Sequence, residues 1–243
     1  MAAKQRTVGV LGGMGPEATV DFMAKVIAAT PASKDQDHIH MLVDHNPTVP
    51  NRQAAILGDG EDPGPALAEM AARLEAAGAE FLVIPCNTAH VFEDSIKAVT
   101  QIPLVSIIAV TIDEIGKQAP GAVTVGLLAT DGCLAARVYQ DALEAQDLIP
   151  LLPDSGEMVR LMHLIHAIKG GATGEDSAQG MRELALSLCN RGAEVVIAGC
   201  TEIPLVLDQS ALPVPLIAST DVLAQHTVAL ARGELPLPAK EPS

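Results

Sequence analysis

Short runs of apolar residues alternate along the chain with longer Ala-, Leu- and Glu-rich segments of helical periodicity. The short runs predict strands and the longer segments predict helices. The predicted strands are Val8–Leu11, Ile39–Val43, Phe81–Ile84, Val105–Ile108, Val123–Leu128, Leu148–Leu152, Val195–Ala198 and Pro215–Ile217. The predicted helices are Glu17–Ala29, Pro65–Ala77, Leu134–Ala145, Gly156–Lys169, Asp176–Arg191 and Asp221–Arg232. This alternation indicates an α/β protein with mainly parallel sheets.

The second half of the chain repeats features of the first half in the same order. Gly-Ala-Glu precedes an apolar run and Cys86, and the same tripeptide precedes an apolar run and Cys200 at the same spacing. Val8–Leu11 also resembles Val125–Leu128, and 102–104 resembles 212–214. Strand-helix units look alike in any α/β protein, but the shared Gly-Ala-Glu-x5-Cys pattern favours a duplication.

The duplication predicts two pseudo-symmetric α/β domains with the active site in the cleft between them. Pro103 and the segment Pro213-Val214-Pro215, near the ends of the repeats, suggest where the chain crosses over. We predict a first domain of residues 1–104 plus 215–243 and a second domain of residues 105–214. Each domain then places one cysteine at the carboxyl end of a strand, where open α/β sheets bind ligands.

Charge narrows the range of partners. The 243 residues carry 15 Lys and Arg against 30 Asp and Glu, a net charge of −15. Such a surface repels nucleic acid and anionic membranes, so we expect neither as a partner. No apolar stretch reaches the roughly 18 residues of a membrane span, and no signal-peptide pattern is visible, so we expect a cytoplasmic protein. An anionic substrate would need dedicated cationic side chains.

Four cysteines occur without C-x-x-C spacing, and we expect free thiols. Cys86 and Cys200 each end a predicted strand and precede polar residues and a predicted helix, whose N-terminus would lower the pKa of a nearby thiol. Two such thiols could remove a proton from one face of a carbon and deliver one to the other. A single cysteine is more often a small buried hydrophobe, but the matched pair favours function. We interpret Cys189 as core and Cys133 as structural.

The glycine-rich turn after the first strand matches the dinucleotide fingerprint only weakly. The acidic residue that closes the second predicted strand, Asp44, lies 31 residues after Gly13, which is too far for the ribose contact, and Pro16 is unusual within that motif. We interpret the turn as one that lets the backbone approach a small anion. No histidine pair has a third ligand at metal-site spacing, so we predict no metal and no organic cofactor.

Two cations stand out in so acidic a protein. Arg52 lies in a turn-rich loop, where an arginine is usually solvated. Lys169 lies at a predicted helix end, where a lysine usually interacts with the helix dipole. Both are nevertheless the kind of group that an anionic substrate would require.

At this point the sequence resembles the aspartate/glutamate racemase family, and within it the aspartate racemases. The resemblance covers nearly the whole chain, and the two cysteine motifs together are specific. The motifs are Leu11-Gly-Gly-Met-Gly-Pro-Glu-Ala-Thr19, Asn46-Pro47 through Pro50-Asn51-Arg52, Pro85-Cys-Asn-Thr-Ala-His90 and Gly199-Cys-Thr-Glu-Ile203. The resemblance implies two pseudo-symmetric α/β domains, no pyridoxal phosphate, no metal and a homodimer.

The resemblance also implies a role for particular residues. Cys86 and Cys200 would be the proton donor and acceptor in the racemisation of an acidic amino acid, aspartate or glutamate. The α-carboxylate would be held by the segment of Asn87, Thr88 and Ala89, with Thr130 and Thr201 nearby. The side-chain carboxylate would be held by Asn51, Arg52, Gln53 and Lys169, and Met14 would line the pocket. Cys133 departs from the Thr or Ser that is usual in relatives.

Three other functions remain open at this point. A dicarboxylate cis-trans isomerase of the maleate-isomerase kind would use one cysteine as a nucleophile on a double bond. A binding protein with an inactive site would not need both intact cysteine motifs. A nucleotide-dependent dehydrogenase would need a better dinucleotide fingerprint.

Overall fold

The computed structural model describes residues 5–239, which contain two four-stranded parallel sheets. The first sheet has the order β2-β1-β3-β4, and the second has the order β6-β5-β7-β8. The first is built from β1 (Val8–Gly12), β2 (Met41–His45), β3 (Phe81–Val83) and β4 (Leu104–Val105). The second is built from β5 (Thr124–Leu128), β6 (Ile149–Leu151), β7 (Val195–Ala198) and β8 (Leu216–Ala218). The predicted α/β class with parallel sheets is confirmed.

Helices connect the parallel strands. They are α1 (Pro16–Ala29), α2 (Arg52–Leu57), α3 (Gly64–Ala76), α4 (Glu93–Lys97), α5 (Ile107–Gln118), α6 (Asp131–Ala135), α7 (Val138–Glu144), α8 (Ser155–Lys169), α9 (Glu175–Asn190) and α10 (Ser219–Ala231). Short 3-10 helices cover Asp35–Asp37, Thr88–Phe92, Ile203–Leu205 and Gln209–Ala211. No helix within residues 5–239 is long and apolar enough to cross a membrane.

The chain divides into two compact units. The first contains the residues up to Ile107 and those from Thr220 onward, and the second contains Ile108–Ser219. Helix α10 joins the first unit, where the Arg6 N–H donates to the Ala231 carbonyl over 2.8 Å. We keep the domain bounds 1–104 with 215–243 and 105–214 as a proposal.

The repeated glycine of β1 and β5 allows close packing in both units. A Cβ added to Gly9 would lie 2.9 Å from the Ala79 Cβ, and one added to Gly126 would lie 3.0 Å from the Ala193 Cβ. A larger residue at either position would push the strand away from the segment that leads into the neighbouring strand. In each unit the glycine of the central strand therefore packs against the alanine of the Gly-Ala-Glu segment.

The repeated glutamate accepts backbone hydrogen bonds at the start of a central strand in both units. The Glu80 carboxylate accepts a hydrogen bond from the Thr7 N–H over 2.8 Å. The Glu194 carboxylate accepts from the N–H groups of Val123 and Thr124 over 2.7 and 2.9 Å. Each carboxylate thus satisfies backbone donors just before a central strand, β1 or β5.

Each unit has its own apolar core of aliphatic side chains. Each core includes residues of the two central strands of its sheet together with residues of the helices packed on them. The first core contains Leu11, Met14, Leu67, Met70, Leu74, Leu82 and Ile84, and the second contains Leu128, Leu161, Ile165, Ile168, Met181, Leu184, Leu188 and Val196.

Two predicted elements were wrong in part. The strand predicted at Val105–Ile108 ends at Val105, and Ile107 begins α5. A short segment such as Val-Ser-Ile-Ile, with three apolar residues, does not distinguish a strand from a buried helix start. The helix predicted at Leu134–Ala145 is interrupted at Arg137, whose φ of 57° is left-handed and separates α6 from α7. Helices α2 and α5 were not predicted, and the helix expected after Cys86 consists of a 3-10 helix followed by α4.

Candidate active site

In the first unit, the candidate residues lie in the loops after the carboxyl ends of β1 and β3. These two strands are hydrogen-bonded neighbours, so their loops start from adjacent positions at one edge of the sheet. Met14 follows β1 and is 2% exposed, and Cys86 follows β3 and is 7% exposed. The carboxyl edge of a parallel sheet is where α/β proteins bind small ligands.

The glycine turn after β1 is fixed by close backbone packing. Gly13 has a φ of +92°, and a Cβ there would lie 2.4 Å from the Asn46 carbonyl carbon. The Gly13 N–H donates to the Thr19 hydroxyl over 2.8 Å, which ties the turn to α1. Only glycine can adopt this backbone beside the loop that follows β2.

The loop of Cys86 is held from below by a buried histidine. The Ile107 N–H donates to Nε2 of His90 over 3.2 Å, so Nε2 is the acceptor and Nδ1 carries the proton. Nδ1 then donates to the Cys86 carbonyl oxygen over 3.0 Å. Burial lowers the pKa of His90, which keeps the ring neutral in this role.

The three residues after Cys86 are all buried. Asn87, Thr88 and Ala89 are between 0% and 7% exposed. A 3-10 helix, Thr88–Phe92, follows instead of the expected α-helix, and α4 begins only at Glu93. The helix predicted after Cys86 is therefore a five-residue 3-10 helix that runs directly into the five-residue α4.

Arg52 is the first residue of α2, and its guanidinium is anchored by the loop before it. Nη1 donates to the carbonyls of Val49 and Pro50 over 3.1 and 2.9 Å. The buried Nε has no hydrogen-bond partner among residues 5–239. An unsatisfied buried donor of this kind costs about 1–3 kcal/mol, so an acceptor brought by a ligand would be favourable.

The neighbours of Arg52 have local contacts. The exposed Asn51 caps α2 by accepting hydrogen bonds from the N–H groups of Gln53 and Ala54 over 3.0 and 3.3 Å. The half-buried Gln53 follows Arg52 in the first turn of α2. Helix α2 contacts the 3-10 helix Thr88–Phe92, so the predicted Asn51–Gln53 segment and the Cys86 loop are neighbours in the first unit.

In the second unit, the site residues form a short chain of polar contacts. Cys200 follows β7, is 6% exposed, and its thiol donates to Oε2 of Glu202 over 3.0 Å. Oε1 of Glu202 lies 3.4 Å from Nζ of Lys169, the last residue of α8. The Thr201 hydroxyl donates to the same carboxylate over 3.4 Å.

The environment of Cys200 favours the thiol over the thiolate. Burial raises the pKa of Cys200 well above its ordinary value, and the Glu202 carboxylate raises it further by repulsion. The Lys169 ammonium acts in the opposite direction and lowers this pKa. The sequence-based expectation of a lowered thiol pKa at Cys200 was wrong, because burial and a carboxylate dominate and only the three-residue 3-10 helix Ile203–Leu205 follows.

A buried polar residue follows β5, the strand that pairs with β7. Thr130, 2% exposed, caps α6 by accepting from the Cys133 N–H over 3.3 Å. Cys133 is fully buried, and Tyr139 of α7 packs 3.1 Å from the position of a Cβ on Gly199. Cys189 is half-buried against the second core. These positions fit structural roles for Cys133 and Cys189.

Two residues at the site were missed by the sequence interpretation. Glu202 is part of the Cys-Thr-Glu motif, but the sequence interpretation assigns it no role of its own. His90 closes the Cys-Asn-Thr-Ala-His motif, and its ring bonds depend on Ile107, which is distant in sequence. A carboxylate two residues after a candidate acid/base thiol was the available signal for Glu202. Within residues 5–239 no group of three or more metal-ligating side chains comes together.

Comparisons with known proteins agree with one another. A family model described as Asp/Glu/Hydantoin racemase matches residues 11–227. The broad specificity amino-acid racemase RacX of Bacillus subtilis is 31% identical over 225 residues, which cover 91% of this chain and 96% of that protein.

Solved structures show the same fold over nearly the whole chain. An aspartate racemase from Picrophilus torridus aligns with a TM-score of 0.81 and 28% identity, covering 94% of each chain. An aspartate racemase homologue from Pyrococcus horikoshii aligns with a TM-score of 0.75 and 26% identity, covering 93% of this chain and 99% of that one.

Proposed function

The chain belongs to the Asp/Glu/hydantoin racemase family and is an amino-acid racemase, and we propose that its substrate is an acidic amino acid, aspartate before glutamate. We further propose that Cys86 and Cys200 are its two acid/base groups. The observation that carries the proposal is that a central strand of each sheet is followed by a nearly buried cysteine with buried polar residues after it.

The proposed reaction is two proton transfers at one carbon. A thiolate removes the proton from Cα and becomes a thiol, leaving a planar carbanion that the α-carboxylate stabilises. The other thiol then gives its proton to the opposite face and becomes a thiolate. Proton transfer by positioned groups of this kind contributes about 10²–10⁴-fold to a rate. Asn87, Thr88 and Ala89 would hold the α-carboxylate, with Thr130 and Thr201 nearby.

Arg52 supports the choice of an acidic side chain. Its Nη1 bonds fix the guanidinium, and its buried Nε lacks an acceptor among residues 5–239. A substrate carboxylate supplies such an acceptor and can bind an arginine through two parallel hydrogen bonds. Lys169 would share its ammonium between Glu202 and the substrate, with Asn51, Gln53 and Met14 completing the pocket.

The relative from Bacillus subtilis sharpens the substrate question, because its name describes a broad specificity. A broad-specificity enzyme would accept alanine nearly as well as aspartate. An enzyme that relies on Arg52 would prefer a substrate with two carboxylates. The preference among aspartate, glutamate and alanine therefore tests the proposal directly.

The test is chiral chromatography of purified protein incubated with single enantiomers of the three amino acids. We expect kcat/KM to fall in the order aspartate, glutamate, alanine. A preference for alanine would contradict the acidic substrate but not the family. Maleate is assayed in parallel, and its conversion to fumarate without any racemisation would contradict the proposal in favour of the dicarboxylate isomerase.

We propose that the two thiols need no organic cofactor or metal, because together they perform both proton transfers. Activity should therefore survive exhaustive treatment with a chelator, and a loss restored by a metal would contradict this. A homodimer and a cytoplasmic location also stay predictions.

A further inference from the structure

A buried carboxylate that the proposed reaction does not use lies against one of the two thiols. Glu202 is 3% exposed, and its Oε2 accepts the hydrogen bond of the Cys200 thiol over 3.0 Å. Its other oxygen lies 3.4 Å from the Lys169 ammonium. A buried charged carboxylate is costly, and this one is stabilised by an ammonium on one side and an S–H donor on the other.

We propose that Glu202 is a positioning residue that keeps the proton on Cys200, so that the resting enzyme offers Cys200 as the acid and leaves Cys86 to act as the base. This inference rests on the proposed two-thiol reaction. It assigns different protonation states in the resting enzyme to two cysteines that occupy equivalent positions in the repeat.

The argument is electrostatic. A thiolate at Cys200 would lie about 3 Å from the Glu202 carboxylate, and two like charges at this separation disfavour ionisation. Of the other groups around Cys200, the Lys169 ammonium of α8 reduces the repulsion. Tyr139 of α7 is fully buried, and burial raises its pKa, so it stays neutral. Cys133 of α6 is buried close to Tyr139.

The proton balance then follows for one turnover. The Cys86 thiolate takes the Cα proton, and the Cys200 thiol gives its proton to the opposite face. The enzyme is left with a Cys86 thiol and a Cys200 thiolate. Glu202 disfavours this second form, and Lys169 keeps it accessible. The form returns to the resting state through the reverse reaction or through exchange of both protons with water.

The test measures the ionisation of Cys200 itself. Wild-type protein and a Glu202→Gln variant are alkylated with iodoacetamide over a range of pH, and the extent at Cys200 is read by peptide mass spectrometry. Glutamine removes the charge at nearly constant size. We expect the alkylation midpoint of Cys200 to move to lower pH by about one unit, which is roughly tenfold faster alkylation at a fixed pH below the midpoint. Glu202→Asp should restore most of the wild-type profile.

Matched variants separate this effect from a general change of structure. Glu183 forms an ion pair with Arg160 in the same unit, so Glu183→Gln removes an equivalent charge far along α9 and should leave the midpoint unchanged. Lys169→Met removes the compensating ammonium and should move the midpoint to higher pH. This second variant keeps the test decisive if Glu202→Gln does not fold.

An unchanged or raised midpoint in folded Glu202→Gln would overturn the assignment, whatever the activity on amino acids. So would an unchanged midpoint in Lys169→Met. If the variants show the expected midpoint shifts but the wild-type protein racemises no amino acid, the proposed function is overturned instead, and with it the roles of the two thiols. The titration and the racemisation assay thus fail independently.

Discussion

The Cys86 loop and the Cys200 loop share a backbone plan but differ in what touches the reactive residue. Both follow a central strand of a four-stranded parallel sheet, after a Gly-Ala-Glu segment with similar packing and a glutamate that accepts backbone hydrogen bonds. A neutral imidazole, that of His90, donates to the Cys86 carbonyl, whereas a carboxylate, that of Glu202, accepts from the Cys200 thiol.

The repeat therefore preserves the position of each cysteine but not its chemical environment. The glycine, alanine and glutamate of the repeat fix where each cysteine stands. The residues that follow each cysteine differ. Glu202, two positions after Cys200, places a carboxylate beside that thiol, whereas His90, four positions after Cys86, bonds to the Cys86 carbonyl. Two thiols in equivalent places therefore need not be equivalent acids.

The largest expected effect is the loss of either thiol. Cys86→Ala and Cys200→Ala should each lower racemisation in both directions by about 10³-fold or more, because each face of Cα needs its own proton carrier. The double variant should be little worse than either single one. Cys189→Ala, which removes a half-buried thiol outside the proposed site, is the control and should stay active. A near-wild-type rate in either single variant would refute the pair.

The next largest effect is expected at Arg52, the residue of the first unit that we propose binds the side-chain carboxylate of the substrate. Arg52→Ala should lower kcat/KM for aspartate roughly 10- to 100-fold, as expected for one or two lost charged hydrogen bonds. Arg52→Lys should be impaired less, because it keeps the charge and loses the planar fork. Arg73→Ala removes an exposed ion-paired arginine of the same unit and should have little effect. An unchanged kcat/KM for aspartate in Arg52→Ala would contradict the proposal that the substrate is an acidic amino acid.

The glycines of the repeat offer a smaller test of stability. Gly9→Ala places a Cβ 2.8 Å from Leu82, while Gly126→Ala meets nothing closer than 3.0 Å. Both should destabilise by about 1–3 kcal/mol in urea unfolding, and Gly9→Ala should cost more. Gly116 lies in α5 with nothing within 4 Å, so Gly116→Ala should be neutral or stabilising. The opposite order for Gly9 and Gly126 would contradict the tighter packing of the first repeat.

The smallest expected effect concerns the pH dependence of stability in the first unit. Burial lowers the pKa of His90 below its ordinary value of 6.5. Below pH 6.5 the unfolded chain therefore takes up a proton that the folded state refuses, so the free energy of unfolding falls as the pH drops. His90→Asn should flatten this slope, and replacement of the exposed His40 in the same unit should not. Equal slopes in wild type and His90→Asn would argue against a neutral His90.

Much of the fold was predictable because its signals are local and repeated. Buried parallel strands such as β1, β5 and β7 are short apolar runs, and long helices such as α8 and α9 show helical periodicity over many residues. Helices α2 and α4 have only six and five residues, too few to reveal a period. The break at Arg137 depends on one left-handed residue within a sequence that is otherwise typical of a helix.

The sequence predicted which residues form the candidate site better than it predicted the contacts that surround them. The matched cysteine motifs pointed to Cys86 and Cys200, and the acidic composition drew attention to Arg52 and Lys169. The pairing of Lys169 with Glu202 joins the end of α8 to the loop after β7, and the contact of His90 with Ile107 joins the Cys86 loop to the start of α5. Contacts of this kind join segments that are distant in sequence. They depend on tertiary structure and cannot be predicted from local hydrophobic periodicity.

The most direct measurement of the two-thiol mechanism follows deuterium during racemisation in D2O, starting from each enantiomer of aspartate. Opposed thiols predict that at early times the inverted product carries one deuterium at Cα, delivered by the donor thiol, while the recovered substrate keeps its protium. Product without deuterium, or equal early labelling of both enantiomers, would show that a single group carries the proton and would contradict the assignment of Cys86 and Cys200 as an opposed pair.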